Sequence, residues 1–160
     1  MGAARAGRGG RSEAPLSAVD LAFITPADPP YADELELRFR VLREPLGHPR
    51  TAVPFPFEEA SLHLVALDRG KVIGCVLFHP ESERTGRLFQ MAVVAGLQKG
   101  GIGTQLVRRL EEDVRVRGFF QITLHARAAA VPFYERLGYA CFGEPFTEVG
   151  LPHRHMRRDL

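Results

Sequence analysis

Residues 98–104 read Gln-Lys-Gly-Gly-Ile-Gly-Thr, with Gly100, Gly101 and Gly103 inside four positions and a helix-like run directly after them. A glycine turn feeding a helix presents unpaired backbone N–H groups and the positive end of the helix dipole, with no Cβ to bar an anion. That is the chemistry of a phosphate cradle; a tight turn without a ligand is the plain alternative. Two familiar nucleotide patterns do not fit. A Walker loop needs Gly-Lys before Ser or Thr, whereas Gly103 leads straight to Thr104. A dinucleotide fingerprint needs a further glycine where Leu106 stands and an acid after the next strand, where the chain has His125. A second constellation is His153 and His155, two apart and therefore on one face of a strand. Imidazole titrates near neutrality, so either histidine can take a proton from an ammonium group, and packing with a hydrogen bond is the plainer role. Two histidines do not make a zinc site and no third ligand is evident, so no metal is expected. Cys75, inside the apolar run Val72–Phe78, reads as a buried small hydrophobe rather than a nucleophile.

The elements that must position these groups follow from periodicity. Apolar residues at Ile102, Leu106, Val107, Leu110 and Val114 form one face of a helix over 101–117, which Gly118 ends. Glu111 with Arg115 and Asp113 with Arg117 are expected to pair on its outer face. Strands are expected at 19–25, 87–94, 119–125, 139–144 and 151–160, and a hairpin at 61–80 about Asp68-Arg69-Gly70. A helix at 32–46 places Leu35, Phe39 and Leu42 inward and stops at Pro45; a shorter one covers 129–138. Residues 48–60, with three prolines, form a loop. The centre is thus strand, glycine loop, helix, strand, a unit that is parallel and right-handed.

The 160 residues suffice for one domain, and 45% hydrophobic with 25% charged residues is a globular composition. Residues 1–17, rich in Gly, Ala and Arg, have little to bury and are expected to be a disordered tail, leaving 18–160 as the single domain. The net charge of +2 is split between the two ends, without the concentrated basic face of a nucleic-acid binder. No apolar run is long enough to span a membrane, and two cysteines form no disulfide framework, so a cytoplasmic protein is expected.

The segments Met91–Val107 and Leu124–Ala140 together resemble the GNAT superfamily of acyl-CoA-dependent N-acetyltransferases. The shared signatures are Gln98-Lys99-Gly100-Gly101-Ile102-Gly103 and, further on, Phe133-Tyr134-Glu135-Arg136-Leu137-Gly138-Tyr139. The resemblance covers about residues 19–160. The pieces His63–Leu67 and Pro152–Met156 are similar to a bacterial subgroup without a well-defined substrate. It implies an α/β fold, a mixed twisted sheet with helices on both faces.

The resemblance also implies a site. Acetyl-CoA is the co-substrate, with its pyrophosphate on backbone amides of Gln98, Lys99, Gly100, Gly101, Ile102, Gly103 and Thr104. The pantetheine arm pairs with Met91, Ala92 and Val93 like an added strand, beside a bulge that opens a gap for the thioester. A backbone N–H near Val93 polarises the acetyl carbonyl. Arg127 stands where the family often has a pantetheine-binding Asn. Tyr134 takes the position of the general acid that protonates the leaving thiolate. His153 is the chosen base for the amine acceptor, with Glu148, His125 and His155 as other candidates, while His63 is structural. Arg40 and Arg43 are expected to line the acceptor pocket. The implied reaction is direct acetyl transfer to a small-molecule or peptide amine, and dimers are common in the superfamily. A non-catalytic acyl-CoA-binding or regulatory module is the alternative; it would keep the glycine loop and have no need of Tyr134.

Overall fold

The computed structural model describes residues 19–160, so the expected tail at 1–17 lies outside the described residues. Strand β1 (Asp20–Ile24) leads to helix α1 (Tyr31–Arg38), which continues as a widened turn (Phe39–Arg43) and a tight one (Glu44–Leu46). The expected single helix to residue 46 is therefore divided. Pro45 lacks an N–H and its ring crowds the carbonyl four residues earlier, inside the widened turn. Strands β2 (Leu62–Asp68) and β3 (Lys71–Pro80) form the expected hairpin, followed by β4 (Thr85–Val93), helix α2 (Ile102–Val116), β5 (Gln121–Arg127), helix α3 (Val131–Arg136), β6 (Ala140–Glu148) and β7 (Leu151–Asp159). β5 runs two residues later than expected, and Phe119, just before it, packs edge-on against Phe78 with ring centroids 5.0 Å apart.

The seven strands form one mixed sheet in the order β1-β2-β3-β4-β5-β7-β6. Only β4 and β5 are parallel, joined by the crossover through α2, as the central unit requires. The inner face of α2 is the expected one: Ile102, Leu106, Val107, Leu110 and Val114 are buried against Leu64, Val76, Phe78, Ile122 and Met156. On the other face of the sheet, Leu37 of α1 packs with Val65, Val72, Cys75 and Ala92. Helices thus cover both faces. Asp113 and Arg117 pair at 2.6 Å as expected, but Glu111 does not pair with Arg115. Glu111 is buried and is held instead by Arg108 at 3.0 Å and by Arg158 of β7.

The inward face of α1 departs from the apolar stripe read from the sequence. Leu35 and Leu42 are only partly buried, while Glu34, Leu37 and Arg38 are buried. Arg38 donates to Glu58 Oε1 at 2.7 Å and to the Val53 carbonyl at 2.9 Å. His63 of β2 faces Glu34 through Nδ1, 3.0 Å from both carboxylate oxygens, and donates from Nε2 to the Glu58 carbonyl at 2.8 Å. Tyr31 adds a hydroxyl donated to Glu58 Oε1 at 3.0 Å. Both imidazole nitrogens face acceptors, so the geometry calls for the doubly protonated ring. Burial alone would push the His63 pKa down; the Glu34 hydrogen bond and charge, with the Glu58 contacts, reverse this and raise it. Two carboxylates and two cations then balance inside the protein, which is the condition for burying any of them. The cluster fastens α1 and residues 53–58 to the sheet, and Val41, Leu42 and Arg43 of the widened turn, with Phe55 and Phe57, line the cleft described next. Among the described residues, no helix is long and apolar enough to cross a membrane.

Candidate active site

β4 and β5 pair only from Thr85–Leu88 against Gln121–Leu124. Beyond Leu88 the strands part. The cause lies in β4, where Gln90 adopts a left-handed backbone (φ 51°) and the register to β3 shifts between Cys75 and Leu77. An extra residue bends a strand away from its neighbour, so the expected bulge is present. The gap between the two strands opens into a cleft of about 670 Å³, which Gln98, Arg127, Tyr134 and His153 all line.

Along the open edge of β4, direction follows from alternation. Val94 N–H donates to the Ile73 carbonyl of β3 at 2.9 Å. Backbone groups alternate sides along a strand, so the N–H and C=O of Val93 turn to the open edge. There the Gln98 side-chain amide donates to the Val93 carbonyl at 3.1 Å. Ala92 and Val93 are buried and Met91 is half-buried at the cleft. The strand then runs into the glycine loop. Lys99, Gly100, Gly101 and Thr104 are exposed, while Ile102 and Gly103 are buried. Gly101 caps α2 in a left-handed conformation (φ 83°), and no side chain caps the helix. The first intrahelical bond is Gln105 N–H to the Gly101 carbonyl at 3.0 Å, so the amides of Ile102, Gly103 and Thr104 keep no helical acceptor, whereas the Gly100 N–H already donates to the Leu97 carbonyl at 3.1 Å. Gly103 has a packing reason of its own. A Cβ there would lie 3.2 Å from Cζ of Phe133, so its bareness lets α2 approach α3.

Tyr134 of α3 is 6% exposed, its ring set edge-on to Phe133 and Tyr139. Among the described residues its hydroxyl has no hydrogen-bond partner, and burial pushes its pKa up, so at neutral pH it keeps its proton. Also on the cleft lining, Glu148, at the end of β6, collects three partners. Its Oε1 lies 3.1 Å from His125 Nδ1 and 4.0 Å from Arg87 Nη2, and its Oε2 lies 3.6 Å from His153 Nε2. Burial would raise the Glu148 pKa, but the His125 hydrogen bond and the charges of His125, Arg87 and His153 outweigh it and leave it lowered. His125 is shifted down, first by burial and then by Arg87. Arg87 Nη2 also lies 2.9 Å from His125 Nδ1. That nitrogen cannot accept from Arg87 and donate to Glu148 at once, so one contact gives way whichever tautomer is present. His153 is 4% exposed and donates from Nδ1 to the Leu151 carbonyl at 2.8 Å, which leaves Nε2 to carry the lone pair in the neutral ring.

Other expected residues lie elsewhere. His155 shares the His153 face but stacks on Phe146 at 4.2 Å, outside the cleft lining. Arg40 does not line the cleft; it is exposed and pairs with Glu36 at 2.7 Å. Arg43 does line it, and Arg127 donates to the Leu42 carbonyl at 3.1 Å, tying β5 to the wall after α1. Cys75 is fully buried, donates to the Gln90 carbonyl at 3.4 Å and has its pKa pushed up by burial, the state of an inert thiol. An aromatic patch of Phe55, Phe57 and Phe89 at the cleft has no counterpart in the sequence reading. Its only signal was the alternation Phe55-Pro56-Phe57 inside an assumed loop.

Residues 50–160 match the family described as Acetyltransferase (GNAT) domain. An uncharacterized acetyltransferase in the arcA 3′ region of Streptococcus pyogenes is 30% identical over 93 residues, taking in 58% of this chain and 64% of the relative. The chain thus spans less than two thirds of that relative's length. A Lactobacillus plantarum protein assigned as an N-acetyltransferase superposes with a TM-score of 0.81 at 24% identity, over 90% of this chain and 99% of that one. A GNAT family acetyltransferase of Elizabethkingia anophelis, solved with acetyl-CoA bound, superposes with a TM-score of 0.67 at 17% identity, over 89% of this chain and 98% of that one.

Proposed function

The chain belongs to the acetyltransferase (GNAT) family, and from that premise we propose that it transfers an acetyl group from acetyl-CoA directly to an amine, as a single domain over residues 18–160. The observation that carries this reading is the open edge of β4, which leads from the gap beside Tyr134 into the uncapped start of α2. A CoA molecule fits that path. Its pyrophosphate meets the amides from Gln98 to Thr104, its pantetheine arm follows Met91, Ala92 and Val93, and its thioester reaches the gap. The Val93 N–H then faces the acetyl oxygen, where negative charge develops during attack. The E. anophelis neighbour, which binds acetyl-CoA, supports the choice of ligand. Two free cysteines suit a reducing cytoplasm.

In the reaction the amine lone pair attacks the thioester carbonyl carbon, a C–N bond forms and the C–S bond breaks. The sulfur leaves as thiolate and takes the proton of the Tyr134 hydroxyl. Burial that weakens this phenol as an acid also strengthens a thiolate beside it as a base, so transfer in the same dry gap stays feasible. The amine's surplus proton passes to His153 Nε2, directly or through water, and Glu148 steadies the resulting imidazolium. The reading is tested by following CoA release with acetyl-CoA and a panel of primary amines; no release with any amine overturns it.

Two variants probe the parts separately. Thr104→Glu puts a carboxylate at the exposed first turn of α2, where it suits the helix and opposes a phosphate. CoA affinity by calorimetry is expected to fall about tenfold or more through loss of electrostatic complementarity, with an equal or higher Tm. Unchanged affinity would remove the pyrophosphate from this loop. His153→Gln keeps a polar side chain and loses the basic nitrogen. The rate is expected to fall at neutral pH and to recover as pH rises toward the range where the acceptor deprotonates unaided. A parallel loss at every pH assigns His153 to positioning and moves the base to Glu148, His125 or water.

A further inference from the structure

The cleft holds more positive charge than its own acceptors can answer. Arg43 donates from Nη1 to the Leu42 carbonyl at 3.2 Å, and Arg127 donates from Nη2 to the same oxygen at 3.1 Å. One neutral carbonyl therefore serves two guanidinium groups, and among the described residues neither makes another hydrogen bond. Arg43 is half-buried; its pKa is lowered by that burial first, then by the charges of Arg127 and Arg38, with Glu148 acting against them. Arg87, on the same lining, has its Nε buried and without a partner among the described residues. The carboxylates on the lining are Glu81, which is exposed, and Glu148, whose oxygens already face His125, Arg87 and His153. Like charges gathered in a half-buried site raise its energy unless an anion enters, and a guanidinium fork matches a carboxylate in shape. The pantetheine arm is uncharged and cannot fill that role.

Another part of the lining is apolar and aromatic. Phe55 stacks on Phe57 at 5.4 Å, and Phe89 stands against both, at 5.3 and 5.6 Å. Such a surface binds a flat or aliphatic body and gains from its removal from water. We propose that the acceptor is an amine that also carries a carboxylate, held by Arg43 and Arg127, with an apolar body laid on Phe55, Phe57 and Phe89. An α-amino acid with a hydrophobic side chain has this chemistry; a polyamine or an aminosugar, which carries no carboxylate, does not. Arg43 and Arg127 are then specificity-determining residues, and the substrate class deepens the acetyl-transfer reading on which it rests.

The test separates binding from turnover. Calorimetry in the presence of saturating CoA compares 3-phenylpropionate, which carries the carboxylate without an amine, with its neutral amide, 3-phenylpropanamide. The carboxylate is expected to bind at least tenfold more tightly. Arg43→Gln and Arg127→Gln, each checked for an unchanged circular dichroism spectrum, are expected to bring it down to the level of the amide, and Arg43→Gln is expected to change CoA affinity less than twofold. Equal binding of the two probes to the wild-type protein, or no binding of either, overturns the proposal without any variant. So does a loss of CoA affinity in the variants with carboxylate binding intact, which would give the arginines to the cofactor. Turnover is then read with phenylalanine and phenylalaninamide. Preferred acetylation of phenylalanine supports both readings, whereas carboxylate binding without acetylation of any amine sinks the transferase reading and leaves the anion site standing.

Discussion

Tyr134→Phe is expected to lower kcat by about 10²–10⁴, the range for loss of a placed general acid, while the KM for acetyl-CoA stays within about twofold. The substitution keeps the ring, and the ring is what packs. Tyr134 lies edge-on to Phe133 and Tyr139, contacts that phenylalanine retains. The hydroxyl, in contrast, makes no hydrogen bond among the described residues, so its removal leaves none of them with an unsatisfied buried group and stability should barely change. A structural tyrosine and a catalytic one therefore give opposite results. A folded variant with turnover within twofold of wild type ends the general-acid role, and the chain would then be read as an acyl-CoA-binding module. Solvent isotope effects on kcat sharpen the comparison, since a general-acid Tyr134 puts proton transfer to the thiolate in the step that the variant slows.

The second large effect is on stability. Arg38→Met removes the cation that lies between Glu34 and Glu58, 3.7 and 2.7 Å away, in a cluster where Glu34, Arg38 and His63 are all 0% exposed. Two carboxylates then remain buried with His63 alone. Breaking a buried pair from one side costs about 3–5 kcal/mol, and for a domain of this size about 1 kcal/mol moves Tm by roughly 2–4 °C. Urea unfolding should show that loss at neutral pH; a change under about 1 kcal/mol would mean that water or relaxation rescues the carboxylates. The cluster also gives stability a pH dependence of known sign. The His63 pKa is raised in the folded protein, so its contribution is fully present below the unfolded value of about 6.5 and fades as pH climbs past the folded value. The stability difference between wild type and His63→Gln should accordingly be largest near pH 6 and smaller near pH 9. A difference that grows with pH would show that the ring is neutral in the folded protein.

Legibility in the sequence followed the kind of signal each part emits. The α2 face was plain because Ile102, Leu106, Val107, Leu110 and Val114 repeat at helical spacing, and every one of them is buried. The β2–β3 hairpin was plain because Arg69 and Gly70 sit between two apolar runs, and both adopt left-handed backbone there. The inward face of α1 was not legible. Periodicity counts apolar residues, and Glu34 with Arg38 at i,i+4 looks like any solvated pair until β2 brings His63 and the 53–58 segment brings Glu58 against it. The glycine run was read as a cradle, but periodicity gives no hint that Gly103 also yields room for Phe133, which lies on a different element. The cleft is the extreme case. Arg127 and the Leu42 carbonyl are 85 residues apart, and only the sheet order makes them neighbours. Glu148 was one candidate base among several, and nothing local shows that His125, His153 and Arg87 converge on it.

The outer strands of the sheet have a consequence for how copies of this chain meet. β1 is five residues long, and among the described residues it pairs only with β2 and β6 only with β7, so each leaves one side unpaired by them. β6 is interrupted: Phe142 pairs with His155 and Phe146 with His153, so residues 143–145 stand opposite Arg154 alone. Within that bulge Gly143 is left-handed (φ 68°) and Pro145 has no N–H to offer. A partner strand laid along this edge would meet a break in the donor row after a few residues, and along β1 it would run out of template. Short, kinked edges of this kind resist the strand-to-strand zippering that drives runaway association. Contacts between copies of this chain are therefore better built from helix and loop surfaces than from a continued sheet.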